Sequence, residues 1–216
     1  MGVVTQPARP DLPNLWPHRP RVLLKAPKSK NTVITVSRQP GSGGNLVAQG
    51  IAEKLGLDLF HQQVIHEMAE SANVSARFVQ TLDEKAMTVL DEWIASLVDD
   101  RHLWPDQYLQ HLMKVVGTIG EHGSAVMVGR GANFIVPPSK RMRVRIMAPM
   151  GFRIKSVADT FGVTAKVAKR RVVRTESDRR AFIRKYFNAD IDDPANSAYP
   201  PEQLKVLPLA MDRKHF

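Results

Sequence analysis

The sequence predicts an α/β fold built on a parallel sheet, and three observations carry that expectation. Residues 32–55, TVITVSRQPGSGGNLVAQGIAEKL, pass from a β-branched apolar run through a glycine-rich turn into a helical pattern. Further short apolar runs recur at 56–60, 124–128 and 142–148, separated by stretches of helical periodicity. One of them ends in Gly129-Arg130-Gly131, which puts a guanidinium at a strand's C-terminal edge. In open parallel sheets ligands bind at that edge.

Residues 1–31 contain six prolines, scattered basic residues and no sustained period, and read as a mobile basic arm with Leu15 and Trp16 as docking points. The first strand follows, with Val33, Ile34 and Val36. Gly41-Ser42-Gly43-Gly44 makes the turn, and Leu46, Val47, Gly50, Ile51, Ala52 and Leu55 share one face of the next helix. Strand, glycine loop and helix together build an anion site. Glycines let successive N–H groups point inward, and the helix N-terminus adds partial positive charge. Against the phosphate-loop pattern GxxxxGK[ST], aligned on Gly43, Arg38 stands at the first glycine. Gly44 replaces the lysine, and Asn45 replaces the hydroxyl residue that holds Mg²⁺. On these residues alone, a phosphate site and a plain glycine turn both remain open.

Gly56–Phe60 reads as the second strand, followed by a helix with Val64, Ile65, Met68 and Ala69 inward. Residues 75–122 are mostly helical, with Val79, Leu82, Met87, Leu90, Trp93, Ile94 and Leu97 recurring at helical spacing. Leu109, Leu112, Met113, Val116 and Ile119 repeat the pattern. The histidines are dispersed without ligand spacing, so no protein-held metal site is expected. After the strand at 142–148, residues 152–161 form a short helix. Thr164 then caps a long basic helix running to Phe187.

Charge is concentrated. Of the net +10, residues 140–185 hold fifteen Lys and Arg against three acids, so a phosphate-rich partner would meet the chain there. No cysteine, no signal-peptide core and no apolar run of about 20 residues is present, which leads us to expect a cytoplasmic protein without a membrane partner.

Three blocks make the chain resemble the cytidylate-kinase-like family, a branch of the P-loop nucleoside monophosphate kinases. They are Ser37-Arg38-Gln39-Pro40-Gly41-Ser42-Gly43-Gly44, Val126-Met127-Val128-Gly129-Arg130-Gly131-Ala132-Asn133, and 174–187 with Asp190-Ile191-Asp192-Asp193-Pro194. The resemblance spans about residues 32–195. It implies a P-loop kinase-type three-layer α/β/α sandwich with an arginine-rich helical lid at about 162–187 and a C-terminal tail at 196–216. It also implies ATP and Mg²⁺ as cofactors, with ATP phosphates on Arg38, Gly41, Ser42, Gly43, Gly44 and Asn45. Arg130 would clamp the phosphate of a small acceptor, by family name CMP. Arg174, Arg179 or Arg180 would close on the transferring group, and Asp178 would orient those arginines.

The chain departs from that family in places. Phe60-His61 stands where an aromatic-Asp pair is usual, no acid ends the strand at Val128, and Asp193-Pro194 runs into a proline-containing stretch instead of an inner strand. These departures define a rival reading, a nucleotide-binding regulatory protein without turnover. Residues 156–170 also read as helix-turn-helix, which makes a DNA-binding protein the third.

Overall fold

The computed structural model describes residues 33–192, so the expected N-terminal arm, the C-terminal tail and the Asp193-Pro194 step lie outside the described residues. The described chain opens with β1 (Val33–Arg38), α1 (Gly44–Leu55) and β2 (Asp58–Phe60). Four helices follow: α2 (Gln62–Glu70), α3 (Ala72–Val79), α4 (Glu84–Asp100) and α5 (Gln107–His122). Then come β3 (Ala125–Val128), α6 (Ala132–Ile135) and β4 (Arg141–Ile146), and finally the helix pair α7 (Met150–Phe161) and α8 (Ala165–Phe187).

The four strands form one parallel sheet in the order β2-β3-β1-β4, with Ile34 beside Val126 and Val36 beside both Val128 and Val144. The chain thus crosses from β1 over β3 to β2, and later from β3 over β1 to β4. The loops that leave β1 and β3 are therefore neighbours at the carboxyl edge, the place where such sheets bind ligands.

Alternation explains the layers. Successive strand residues face opposite sides, yet Val33 and Ile34, and again Val126 and Met127, are fully buried. Both faces of the sheet must then be covered. On one side Val33, Ala125 and Met127 join Leu112, Val116 and Ile119 of α5, Ile65 of α2 and Phe187 of α8 in the main core. Across β1, β2 and β3 lies α1, which buries Ala48, Ile51 and Ala52. The α/β kinase-like sandwich expected from the sequence is the observed fold.

Several local expectations shift. Leu46 of α1 is 58% exposed and Val64 of α2 is 44% exposed, because each helix leans on its neighbours over a narrower face than its apolar residues span. Thr164 caps α8 as expected, its hydroxyl accepting from the Val167 N–H at 3.4 Å. The long basic helix is packed in two ways along its length. Ala168 and Val172 meet Val157 of α7, whereas Ile183 and Phe187 enter the main core. Only the first part of the expected lid therefore sits on a small separate cluster.

Phe187 is the anchor. Its ring stacks on Phe134 at 5.1 Å and fills the space beside Gly131, where any Cβ would run into it. Gly131 also holds φ +70°, a conformation that side chains resist. Phe187→Ala should cost about 3–5 kcal/mol in urea unfolding, as large core truncations do. Gly131→Ala should cost about 1–3 kcal/mol through the ring contact and the backbone together.

Candidate active site

The glycine loop connects β1 to α1 at the carboxyl edge of the sheet. Gly41 and Gly43 both take φ +76°, and the space a Cβ on Gly43 would enter is open. The Ser42 hydroxyl donates to the Gln39 carbonyl at 2.8 Å, tightening the turn. Gly43 occupies the N-cap of α1, and no side chain caps that end. The first turn of a helix left uncapped beside an open space is suited to an anionic oxygen.

Beside the loop lies a cleft of about 380 Å³, lined among others by Arg38, Gln62, Arg130, Arg145, Asp178, Arg179 and Phe182. Four elements deliver its arginines. Arg38 ends β1, and its guanidinium donates from Nη2 to Gln62 Oε1 at 2.7 Å and from Nε to Asn45 Oδ1 at 3.2 Å. Arg130 follows β3 with φ +51°, donates from Nε to the Gln62 carbonyl at 3.4 Å, and lies 5.5 Å from the Phe182 ring centre. Arg179 of α8 donates to the Arg38 carbonyl at 2.8 Å, tying the helix to the end of β1. Arg145 of β4 completes the set.

These guanidiniums are not balanced equally. Arg145 and Arg180 share the Asp192 carboxylate at 2.6 and 2.8 Å, and Arg153 pairs with Glu176 at 3.2 Å. Arg38, Arg130 and Arg179 have no ion pair among the described residues. Burial, with Arg179 and then Arg130 nearby, pushes Arg38 down to about 9. Burial also lowers Arg179, against the pull of Glu176. Three partly desolvated cations without a paired carboxylate are costly unless an anion joins them.

The structure places the expected residues unevenly. Arg38, Arg130, Asp178 and Arg179 line one cleft, whereas Gly41, Ser42, Gly43, Gly44 and Asn45 do not line it: Asn45 is joined to it through Arg38 Nε, and Gly41 faces the Arg153 carbonyl and Val157 of α7. Arg174 is exposed on α8 one turn before Asp178 and is not among the lining residues. Arg180 faces away to Asp192. Asp178 lines the cleft, yet among the described residues it pairs with none of the arginines. Glu176 and Asp192 hold the charge network instead, Glu176 also accepting from the Gln39 amide at 3.4 Å. Arg145 and Gln62 were not singled out from sequence. Arg145 gave one signal, the alternation of basic and apolar residues along β4.

A second cleft of about 470 Å³ adjoins the first and shares Arg130 and Phe182 with it. Its walls carry His66, Tyr108, His111 and Tyr186, with Tyr108 and Tyr186 ring centres 5.8 Å apart. His66 bridges Glu70, 3.2 Å from Nε2, and the Tyr108 hydroxyl, 3.1 Å from Nδ1. A carboxylate only accepts, which places an imidazole proton on Nε2. Among the described residues no group of three or more His, Cys, Asp or Glu is placed to hold a metal, and no helix is long and apolar enough to cross a membrane.

The unpaired arginines make a testable demand. Pyrophosphate at saturating concentration should raise the melting temperature by about 5 °C or more, while NaCl at equal ionic strength should not. Arg179→Ala should remove much of that increase. Equal stabilisation by the two salts would show that the cleft does not select phosphate.

The chain is similar to known proteins in sequence and in fold. The model of the cytidylate kinase-like family matches residues 33–197. A cytidylate kinase of Methanopyrus kandleri is 24% identical over 175 residues, covering 76% of this chain and 81% of that protein. A cytidylate kinase of Ignicoccus hospitalis is 24% identical over 161 residues, covering 74% and 83%. A crystal structure of an uncharacterized protein from Eubacterium ventriosum superposes with a TM-score of 0.56 at 18% identity, covering 77% of this chain and 84% of the other, a likeness of fold. With the family model spanning the whole described sheet, its glycine loop and its arginine cleft, the chain belongs to the cytidylate kinase-like family.

Proposed function

We propose that the protein is an ATP-dependent phosphotransferase that moves the γ-phosphoryl group to a phosphorylated acceptor, a nucleoside monophosphate such as CMP. The observation that carries this reading is the cleft of Arg38, Arg130 and Arg179, unpaired with acids among the described residues and set beside an uncapped glycine loop. The triphosphate lies on residues 41–45, and the acceptor phosphate meets Arg130. An acceptor phosphate oxygen attacks the γ-phosphorus, the bond to the β-phosphate bridging oxygen breaks, and ADP leaves. Such transfer needs positioning and charge neutralisation more than covalent help. Arg38 and Arg179 supply the neutralisation from the protein side.

Mg²⁺ bound with the triphosphate would supply charge compensation there. Asp178, the acid among the cleft's described lining residues, is the ligand this chain would offer it. The body of the acceptor extends from Arg130 into the aromatic cleft, between Phe182 and the Tyr108–Tyr186 pair. We place the activity in the cytoplasm, where ATP is available. The regulatory reading without turnover is favoured by the same single lining acid, since a kinase site usually offers magnesium more than one.

Calorimetric titration with ATP–Mg²⁺ and a screen of nucleoside monophosphates for ADP release decide between these readings. Saturable binding with acceptor-dependent ADP release is expected. Binding without release would leave the regulatory reading, and strong salt-sensitive binding of a particular duplex with none of ATP would support the DNA-binding one. Given turnover, Arg130→Ala should raise the acceptor KM by about tenfold or more. Arg179→Ala should lower kcat by roughly 10²–10³-fold with little change in KM. The opposite split would reverse the two roles.

A further inference from the structure

The loop departs from the phosphate-loop pattern at three positions, Arg38, Gly44 and Asn45, and in the fold these three residues touch one another. Gly44 is the first residue of α1 and its φ is not positive, so its backbone would accept any side chain. Space forbids one. A Cβ on Gly44 would collide with Arg38 Cβ and lie 2.8 Å from Arg38 Cγ. Further out, the Arg38 Nη1 fills the place that a Cβ on Gly129 would take. The arginine therefore threads between two glycines from different loops, and its tip is held by Asn45 and Gln62.

We propose that Arg38 is the phosphate-gripping cation of this loop in place of the lysine, and that Arg38, Gly44 and Asn45 are a single coupled replacement. The inference rests on the phosphotransferase reading above. In the common pattern a glycine stands at the position of Arg38 and a lysine at that of Gly44. The two arrangements exclude each other, because a lysine at 44 brings a Cβ into the Arg38 side chain. One cation is kept and its origin moves from α1 to β1. The change at Asn45 follows. Where a hydroxyl would face Mg²⁺, an amide oxygen now accepts from Arg38 Nε and fixes the plane of the guanidinium. Gln62 acts as the positioning residue. Its amide oxygen holds Arg38 while its carbonyl holds Arg130, so the cation of the ATP loop and that of the acceptor are set by one residue.

A guanidinium so placed differs from a lysine in reach. Its flat fork can donate to oxygens of two phosphates at once, and Arg38 lies between Asn45 after the loop and Gln62, which also holds Arg130. Arg38 thus touches the donor phosphates and the group in transfer.

Two measurements on the full chain test the coupling. Gly44→Ala should lower the melting temperature in the wild-type background and leave it unchanged or raised with Arg38→Gly, because alanine favours a helix once the collision is gone. The same shift in both backgrounds would overturn the spatial trade. In calorimetry with ATP–Mg²⁺, Arg38→Gly should bind roughly tenfold more weakly or worse, the loss of one charge-assisted contact. Arg38→Gly combined with Gly44→Lys and Asn45→Thr should recover affinity to within a few-fold of wild type. If Arg38→Gly binds ATP as tightly as wild type, this inference fails while the kinase reading stands. If the wild-type protein binds no ATP, both fail.

Discussion

Like charges gathered at one end of the sheet set the terms for the rest of the structure. Arg38, Arg130 and Arg179 arrive from β1, the turn after β3, and α8, and they repel one another in a partly desolvated cleft. The fold meets that repulsion with neutral acceptors. Gln62 supplies an amide oxygen and a carbonyl, Asn45 an amide oxygen, and Arg38 its own carbonyl to Arg179. Such dipoles fix direction without cancelling charge, and the net positive field remains for a ligand. The carboxylates Glu176 and Asp192 form their ion pairs with Arg153, Arg180 and Arg145, while Asp178 lines the cleft without pairing with an arginine among the described residues.

That separation distinguishes a site from a structural ion-pair network. Had Glu176 or Asp192 reached Arg38, the same arginines would form a closed salt-bridge cluster with no call on an anion. Glu176 instead joins the loop at Gln39 to α7 and α8. It holds together the elements around the cleft while leaving the cleft's own cations open.

Much of this architecture was legible in the order of residues, because its signals are local. The β1–loop–α1 unit, the Gly129-Arg130-Gly131 turn and the Thr164 cap each depend on neighbours a few positions away. The site resisted where its partners are distant in sequence. Asp178 sits among the arginines of α8 and invites pairing with them, yet helix geometry leaves it exposed while Glu176, two residues earlier, turns toward Arg153 of α7. Gln62 carries no pattern of its own, and its value comes only from β1 and β3 ending beside the start of α2. Arg174 has the composition of a cleft residue but stands exposed one turn along α8 from Asp178 and off the cleft's lining. Leu46 shows the same limit for packing, since apolarity names the residues that prefer burial and the neighbouring element decides how many obtain it.

The stacked pair of Phe134 and Phe187 has a mechanical consequence. A helix rises about 1.5 Å per residue, so Arg179 stands about 12 Å from that ring stack and Ala165 about 33 Å from it. Were the helix to pivot at its C-terminal end, the stack would be its fulcrum in the core. A tilt of about 10° about the stack would carry Arg179 through about 2 Å and Ala165 through about 6 Å, by the same rise per residue. The short arm is enough to make or break a guanidinium's grip on a phosphate oxygen. The long arm would carry α7 with it, since the two helices share the Val157–Ala168–Val172 cluster. A small rotation at the stack would become a larger excursion at the rim, in proportion to the length of the helix.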